Sequence, residues 1–256
     1  MTNARTITIL LSAGLLLAAC GTKKGTPPSG IPTQNMSSSA TTTSSGSEQI
    51  ESKKSLEARA KKGERDAQFE LGAIYHDGDG VPKDMKKARE WFEKAATQGE
   101  TRAEFNLGVM YYTGEGVQKS FALAQKWFQK AVDQGNSRAE FNLGVMFYRG
   151  EGVKVDFVKA HELFTASALQ NFAEAEFNLG VMEAKGEGKE ADIGKAYAWF
   201  VLARDNGNPK ADDVIKKIEG QLQPDQMKIV QKLAADLKAE VEKNVKSAMT
   251  SSAAAR

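Results

Sequence analysis

Few residues of the kinds that form covalent bonds or bind metals occur in this sequence of 256 residues. It has one cysteine, Cys20, and two histidines, His76 and His161, which have no second His or Cys at a metal-ligand spacing. Several catalytic motifs are absent from it: Ser-x-x-Lys, Gly-x-Ser-x-Gly, His-Glu-x-x-His and the phosphate-binding Gly-x4-Gly-Lys-Ser/Thr. We therefore predict a protein that is not an enzyme and has no cofactor or metal, and we expect both histidines to be solvated or hydrogen-bonded.

The charge balance gives no reason to expect a nucleic-acid partner. Lysine and arginine together number 35, and aspartate and glutamate number 33. Because binding to a phosphate backbone or to an anionic membrane surface needs a basic excess, this balance argues against both.

Cys20 follows an apolar run that ends at Ala19. The run is too short to span a bilayer, which takes about 20 residues, and is typical of a secretory signal peptide. Residues Leu17-Ala18-Ala19-Cys20 resemble a bacterial lipobox. That resemblance implies that residues 1–19 are a signal peptide and that Cys20 carries lipid chains after cleavage, palmitate among them. Gly21 lacks the acidic side chain associated with inner-membrane retention, which favours the outer membrane. The alternative is a buried structural cysteine.

The segment after Cys20 has almost no apolar side chain to bury. From Gly21 to Ser47 it consists mainly of Gly, Ser, Thr and Pro, and its only charges are Lys23 and Lys24. Residues 20–47 are therefore predicted to be a disordered linker. A flexible chain of this length would let the folded part move roughly 30 Å from its anchor.

One short segment recurs every 36 residues, at Ala67–Gly72, Ala103–Gly108, Ala139–Gly144 and Ala175–Gly180. The apolar residues that begin each repeat follow the i, i+4, i+7, i+8 spacing of a helix face. Two glycines close this first helix, as at Gly114 and Gly116, because they allow the positive φ of a helix end and a tight turn.

A second amphipathic segment completes each repeat. In the first repeat its apolar residues follow the spacing i, i+3, i+4, i+7, i+8: Ala88, Trp91, Phe92, Ala95 and Ala96. We predict a second helix, in which the alanines let two helices approach and the Trp-Phe pair fills the space between neighbouring hairpins. Since one hairpin cannot bury both aromatic rings, stacked hairpins would supply the core.

The repeat pattern Ala-x3-Leu-Gly-x2-Tyr-x2-Gly-x-Gly-Val, followed by Asp-x3-Ala-x2-Trp-Phe-x-Lys-Ala, resembles the Sel-one-like repeat, a relative of the tetratricopeptide repeat. The resemblance covers roughly residues 52–220. It implies an all-α fold, an α/α solenoid wound as a right-handed superhelix of helix-turn-helix repeats, and a role as an adaptor or scaffold for protein complexes. Some secreted members bind penicillin-like compounds, and those carry paired cysteines in each repeat, which this chain lacks.

The ends of the chain are predicted to cap the repeats. Glu183 and Lys189 replace an aromatic residue and a valine of the earlier repeats, which suits a terminal unit with less surface to bury. A last helix begins at Pro224, with an apolar row at i+4 spacing: Ile229, Leu233, Leu237, Val241 and Val245. The predicted segments after the linker are a half-repeat cap at 48–66, repeats at 67–102, 103–138, 139–174 and 175–210, capping helices at 211–246 and a tail at 247–256.

The first helix of each repeat is apolar on two sides, so it must be contacted on both. The second side carries Phe69, Phe105, Phe141 and Phe177. These rings either pack on the next repeat's first helix or line a groove. The groove's rim would carry Asp66, Arg102, Arg138 and Glu174, with Tyr112 and Tyr148 further along. Asn106, Asn142 and Asn178 would donate to a bound peptide backbone or satisfy a neighbouring helix end.

These observations predict a non-catalytic envelope lipoprotein that binds an envelope or periplasmic protein along its first helices. It would be attached to the outer membrane through Cys20 and face the periplasm. Two adjacent arginines flanked by carboxylates, Arg102 and Arg138, would favour a partner with a central acidic stretch. The alternatives are a cell-wall enzyme, a β-lactam-binding protein, and a surface adhesin or structural spacer.

Overall fold

The computed structural model describes residues 46–254, so the predicted signal peptide 1–19, Cys20 and most of the linker 20–47 lie outside the described residues. Within residues 46–254 the secondary structure is entirely helical, which confirms the predicted all-α class. The helices are α1 (Gly46–Lys61), α2 (Arg65–Asp77), α3 (Met85–Thr97), α4 (Thr101–Thr113), α5 (Phe121–Asp133), α6 (Ser137–Arg149), α7 (Phe157–Ala168), α8 (Ala173–Lys185), α9 (Ile193–Asp205), α10 (Ala211–Glu219) and α11 (Pro224–Ala254). In this part of the chain no helix is both long enough and apolar enough to cross a membrane.

The described residues form two compact units. The first contains residues 46–142 and 151–153, and the second contains residues 143–150 and 154–254. Helices α2, α4, α6 and α8 are the first helices of the four repeats, and α3, α5, α7 and α9 are the second helices.

The ends of the paired helices are determined by local sequence. Gly78 and Gly114 follow α2 and α4 with φ values of 77° and 83°, and the N–H of each donates to a carbonyl four residues back. The predicted positive φ at these helix ends is confirmed. The second helices begin at capping side chains that accept a hydrogen bond from the backbone three residues on: Asp84, Ser120, Asp156 and Asp192.

A contact between glycine and phenylalanine holds the two helices of each repeat together. A Cβ atom at Gly72 would lie 2.6 Å from the Phe92 ring, and one at Gly108 would lie 2.4 Å from the Phe128 ring. Gly144 and Gly180 meet the phenylalanines of α7 and α9 in the same way. All four phenylalanines are fully buried. The glycine in the middle of each first helix is therefore required by packing.

The tryptophan and the phenylalanine of the Trp-Phe pair differ in how deeply they are buried. Phe92 and Phe128 are fully buried, but Trp91 and Trp127 are half-buried. Lys94 Nζ lies 3.8 Å from the centre of the Trp91 ring, and Lys130 covers Trp127 similarly at 4.5 Å. Trp127 still packs against the apolar cluster of the first repeat, and Trp91 against the cluster formed with α1, so the expected packing between neighbouring hairpins is confirmed. Neither ring is fully buried, because one face of each indole lies against a lysine at the surface.

The second glycine of each turn also makes a close contact. In the first unit, a Cβ atom at Gly116 would lie 2.3 Å from the Cβ of Met85, and one at Gly152 would lie 2.4 Å from the Cβ of Phe121. These glycines therefore let each turn rest on the start of the preceding repeat's second helix, in addition to providing their positive φ.

The terminal helices cover the ends of the repeats. In the first unit, Leu56 and Ala60 of α1 pack against Ala67 and Leu71. In the second unit, α11 packs against α9, and Lys238 on α11 pairs with Asp205 at 2.7 Å. Helix α11 continues to Ala254, through most of the segment predicted to be a tail.

The buried face of α11 differs from the predicted row. Val230, Ala234 and Val241 are buried, whereas Leu233, a member of that row, is 39% exposed. A row at constant i+4 spacing winds around a helix of 3.6 residues per turn, so it cannot stay on one face. The packed face instead uses the mixed spacing 230, 234, 237 and 241, in which Leu237 is half-buried.

Candidate partner-binding face

The four phenylalanines predicted for the binding face lie in the core. Phe69, Phe105, Phe141 and Phe177 are between 0% and 9% exposed. Phe69 packs on Phe92 of its own repeat with 5.7 Å between ring centres, and Phe105 and Phe177 pack on their second helices at 6.0 and 5.3 Å. A partner could therefore touch at most the edges of these rings.

The three asparagines predicted to contact a partner are also buried. Within residues 46–254, the Nδ2 atom of Asn106 and both polar side-chain atoms of Asn142 and Asn178 have no hydrogen-bond partner. The alternative that these side chains satisfy a neighbouring helix end is therefore wrong. A buried polar group without a partner costs about 1–3 kcal/mol. Donation to a peptide backbone stays a prediction, and it would need neighbouring side chains to move.

The charged residues of the predicted rim are accessible. Asp66, Arg102 and Arg138 are exposed, and Glu174 is half-buried. In the first unit a chain of alternating charges joins the starts of α2 and α4. Arg65 Nε lies 3.0 Å from Asp66 and 3.3 Å from Glu100, and Arg102 Nε lies 2.7 Å from Glu100. Arg102 also stacks over Phe69, 4.1 Å from the ring centre.

Arg138 differs from Arg102 in its surroundings. Within the described part of the chain its guanidinium makes no hydrogen bond or ion pair. We expected both arginines to be available to a partner. The structure pairs Arg102 with a nearly buried carboxylate and leaves Arg138 without one.

The two tyrosines of the rim bind to glutamates in the turns that follow the next repeat's first helix. The Tyr112 hydroxyl donates to Glu151 within the first unit, and the Tyr148 hydroxyl donates to Glu187 at 2.8 Å within the second. Burial and the neighbouring Glu187 carboxylate raise the pKa of Tyr148. These hydroxyl groups therefore connect one repeat to the next.

A buried polar pair that was not predicted joins the two helices within a repeat. Near the start of a first helix, the side chain of Gln68, Glu104 or Glu176 is buried and bonds to an amide at the end of the second helix. The bonded pairs are Gln98 with Gln68 at 2.8 Å, Gln134 with Glu104 at 2.6 Å and Asn206 with Glu176 at 2.8 Å. The two polar residues of each pair lie 30 residues apart in every case, so this recurring spacing could have predicted the pairs from the sequence.

These buried carboxyl groups have raised pKa values. Burial raises the pKa of Glu104, and burial raises the pKa of Glu176 to about 7 even though the hydrogen bond from Asn206 acts in the opposite direction. Glu176 is 0% exposed, and its Oε2 atom has no hydrogen-bond partner among the described residues.

Glu183 has a role that its position in the terminal repeat did not suggest. It is 3% exposed, its Oε1 atom lies 3.0 Å from His161 Nε2, and Lys189 Nζ lies 3.8 Å away. The interpretation that these changes reflect less surface to bury was wrong for Glu183. Instead, the two departures of the fourth repeat, Glu183 and Lys189, lie together around His161.

Each histidine lies beside a carboxylate. His161 bonds to Glu183, and His76 Nδ1 lies 2.7 Å from Asp77. Among the described residues, no group of three or more His, Cys, Asp and Glu side chains could hold a metal ion.

Comparison with known proteins gives the same repeat. The family model of the Sel1 repeat matches residues 65–100, 101–136, 137–172 and 173–208. Each matched range begins two residues before the corresponding repeat predicted from the sequence. The chain resembles a protective antigen present in uropathogenic Escherichia coli strains and displaying an SLR fold, with 28% identity and a TM-score of 0.69 over 78% of this chain and 44% of that one. It also resembles a Sel1 repeat protein from Oxalobacter formigenes, with 34% identity and a TM-score of 0.59 over 64% of this chain and 48% of that one. The chain thus spans less than half the length of either structure. No curated protein matches it.

Proposed function

Because the chain belongs to the Sel1 repeat family, we propose that it is a non-catalytic scaffold of the cell envelope, which holds a protein partner at the exposed starts of its first helices. Sel1 repeat proteins generally serve as scaffolds for protein–protein interaction. In this proposal Cys20 carries the lipid that anchors the chain to the outer membrane, and the partner is an envelope or periplasmic protein.

The exposed and unpaired guanidinium of Arg138 is the observation that carries this proposal. It stands at the start of a first helix whose other side chains are largely buried. Within the described residues no carboxylate neutralises it, although Glu100 neutralises the equivalent Arg102. An arginine fork without an internal partner is suited to bidentate pairing with a carboxylate.

The partner that suits this rim has an acidic segment. Arg102 is held in place by Glu100 and by its contact with Phe69, so little side-chain entropy remains to be lost when a ligand binds. Arg138 would supply the attraction, and Arg102, at the same position of the preceding repeat, would supply a fixed planar surface. Since the phenylalanines below are buried, specificity would come from the rim and not from an open apolar groove.

The test uses charge reversal at the unpaired arginine. Cells that express the wild-type chain or Arg138→Glu are treated with a crosslinker, and the proteins captured with each chain are compared. If Arg138 is desolvated against its partner, its loss costs about 1–3 kcal/mol, which is roughly a 5- to 140-fold fall in affinity. We expect the captured protein to be lost or strongly reduced in the variant.

The matched control is Lys126→Glu. Lys126 is exposed on α5, a second helix, and makes no hydrogen bond or ion pair within the described residues. Lys126→Glu therefore changes the net charge by the same amount as Arg138→Glu and leaves the rim unchanged. If Arg138→Glu folds normally by circular dichroism and captures the same proteins as Lys126→Glu in equal amounts, the partner does not bind at this rim.

A further inference from the structure

The fourth repeat uses a different amide to hold its buried carboxyl group. At the end of the second helix, the first three repeats have glutamine, at Gln98, Gln134 and Gln170, and the fourth has Asn206. In the first and fourth repeats, Gln98 and Asn206 each donate a hydrogen bond of 2.8 Å to the first helix of the same repeat. The difference of one methylene keeps the hydrogen bond but changes the chemistry of the side chain.

Asparagine followed by glycine can react with its own backbone. The backbone nitrogen of the next residue attacks the side-chain Cγ and closes a five-membered ring, whereas glutamine would have to close a less favourable six-membered ring. Asn206 is followed by Gly207, and both residues are exposed. A Cβ atom at Gly207 would meet nothing within 4 Å, so the turn is open on that side.

The group that must leave in this reaction is in contact with an acid. Asn206 Nδ2 donates to Glu176 Oε1 at 2.8 Å. Glu176 is fully buried, and no residue in the described part of the chain bonds to its other oxygen. Because burial raises the pKa of this carboxyl group to about 7, a substantial fraction of it is protonated at neutral pH.

We propose that Asn206 and Gly207 form a self-modification site, at which Asn206 loses its side-chain amide nitrogen in the folded chain and Glu176 gives a proton to that departing nitrogen. This inference is independent of the proposed scaffold function.

The reaction uses only water as a second reactant. The Gly207 backbone nitrogen forms a bond to Cγ of Asn206 and loses its proton to solvent. The bond from Cγ to Nδ2 breaks, and the nitrogen leaves with the electron pair, takes the Glu176 proton and departs as ammonia. Water then opens the ring at either carbonyl, giving aspartate or isoaspartate at residue 206, and Glu176 recovers a proton from solvent.

One hydrogen bond must open before the attack. The Gly207 N–H donates to the Arg204 carbonyl at 2.9 Å, so the last turn of α9 has to loosen first. After the reaction a carboxylate at residue 206 would face Glu176 where an amide donor had been, and the bond between α8 and α9 would be lost. We therefore expect the modified chain to unfold more easily than the original.

Peptide mapping by mass spectrometry tests the site in the purified full chain, held for days at neutral pH, where Glu176 can still supply a proton. We expect the peptide containing Asn206 to gain the mass difference between asparagine and aspartate, and Asn206→Gln, which restores the residue type of the other repeats, to remain unmodified. The Asn136-Ser137 peptide provides an internal comparison, and we expect it to react more slowly. Conversion of Asn206 in denaturant but not in the folded chain would overturn the proposal.

Glu176→Gln tests the role of the acid. Its amide oxygen still accepts from Asn206, but it cannot supply a carboxylic proton, so we expect the folded-state rate to fall by about tenfold or more. Hydrogen exchange at the Gly207 amide measures how often the turn opens in each protein. Dividing the reaction rate by this opening frequency removes any effect of the substitution on the turn itself. In denaturant the two proteins should react equally. An opening-corrected rate that is the same with and without Glu176 would show that the acid takes no part.

Discussion

Replacing Glu176 by glutamine should change the pH dependence of stability in a defined direction. The pKa of this carboxyl group is about 7 in the folded chain and has an ordinary value of 4.5. Between these values the folded state binds more protons than the unfolded state, so the free energy of unfolding falls as pH rises. The loss begins above 4.5, is complete above about 7, and amounts to about 3 kcal/mol at about 1.4 kcal/mol per pH unit.

The glutamine variant should lack this loss. Gln68 occupies the equivalent position in the first repeat, where it accepts from Gln98 and donates to the Ala60 carbonyl at 3.2 Å. In the fourth repeat the new amide N–H groups would replace an oxygen that has no partner among the described residues, which adds a cost of about 1–3 kcal/mol at every pH. The test therefore follows the difference in free energy of unfolding between variant and wild type, and asks how that difference changes with pH.

The assay is urea unfolding followed by circular dichroism at several pH values between about 5 and 8. We expect the stability of Glu176→Gln relative to wild type to rise by up to about 3 kcal/mol as pH increases across the interval between the two pKa values. Glu162→Gln, at an exposed position on α7 of the same unit, removes the same charge from the surface and should show no such rise. If the wild-type and Glu176→Gln curves stay parallel across this range, the raised pKa of Glu176 is refuted.

Three other predictions concern the core, the repeat period and the anchor. Gly108→Ala would place a Cβ atom 2.4 Å from the Phe128 ring, so it should lower the free energy of unfolding by about 1–3 kcal/mol in a denaturant melt. Deletion of residues 103–138 keeps the helix pairs in phase and should leave a cooperative thermal melt, whereas deletion of 103–120 should abolish it; equal melts would contradict modular stacking. Metabolic palmitate labelling should mark the wild type but not Cys20→Ser, and label retained by that variant would exclude Cys20 as the acylated residue.

Local sequence was sufficient to predict the helix pairs. The period of 36 residues, the apolar spacing along each helix and the glycines that end the first helices all act within a few residues of chain. A glycine such as Gly114 therefore ends its helix with positive φ as expected, without reference to the rest of the fold. The match to the Sel1 repeat has the same basis, since it depends on residue types at fixed positions along the chain.

Tertiary structure decided which side chains are available at the surface. Phe92 and Trp91 are neighbours in sequence and similar in character, but only the position of Gly72 on the facing helix determines that Phe92 is the fully buried one. Arg102 and Arg138 occupy the same place in successive repeats, and their difference depends on the side chain of Glu100.

The buried carboxyl groups show why the surroundings of a side chain could not be predicted from the sequence. Glu176 is unremarkable as one of many acidic residues on a helix. Its pKa is raised by burial, and the hydrogen bond from an amide 30 residues away opposes that rise. Burial and pairing of this kind depend on how far each helix is rotated about its axis and on the neighbours that it meets. Sequence periodicity determined the helices and their order, but desolvation is a property of the assembled neighbours, so only the folded chain could decide it.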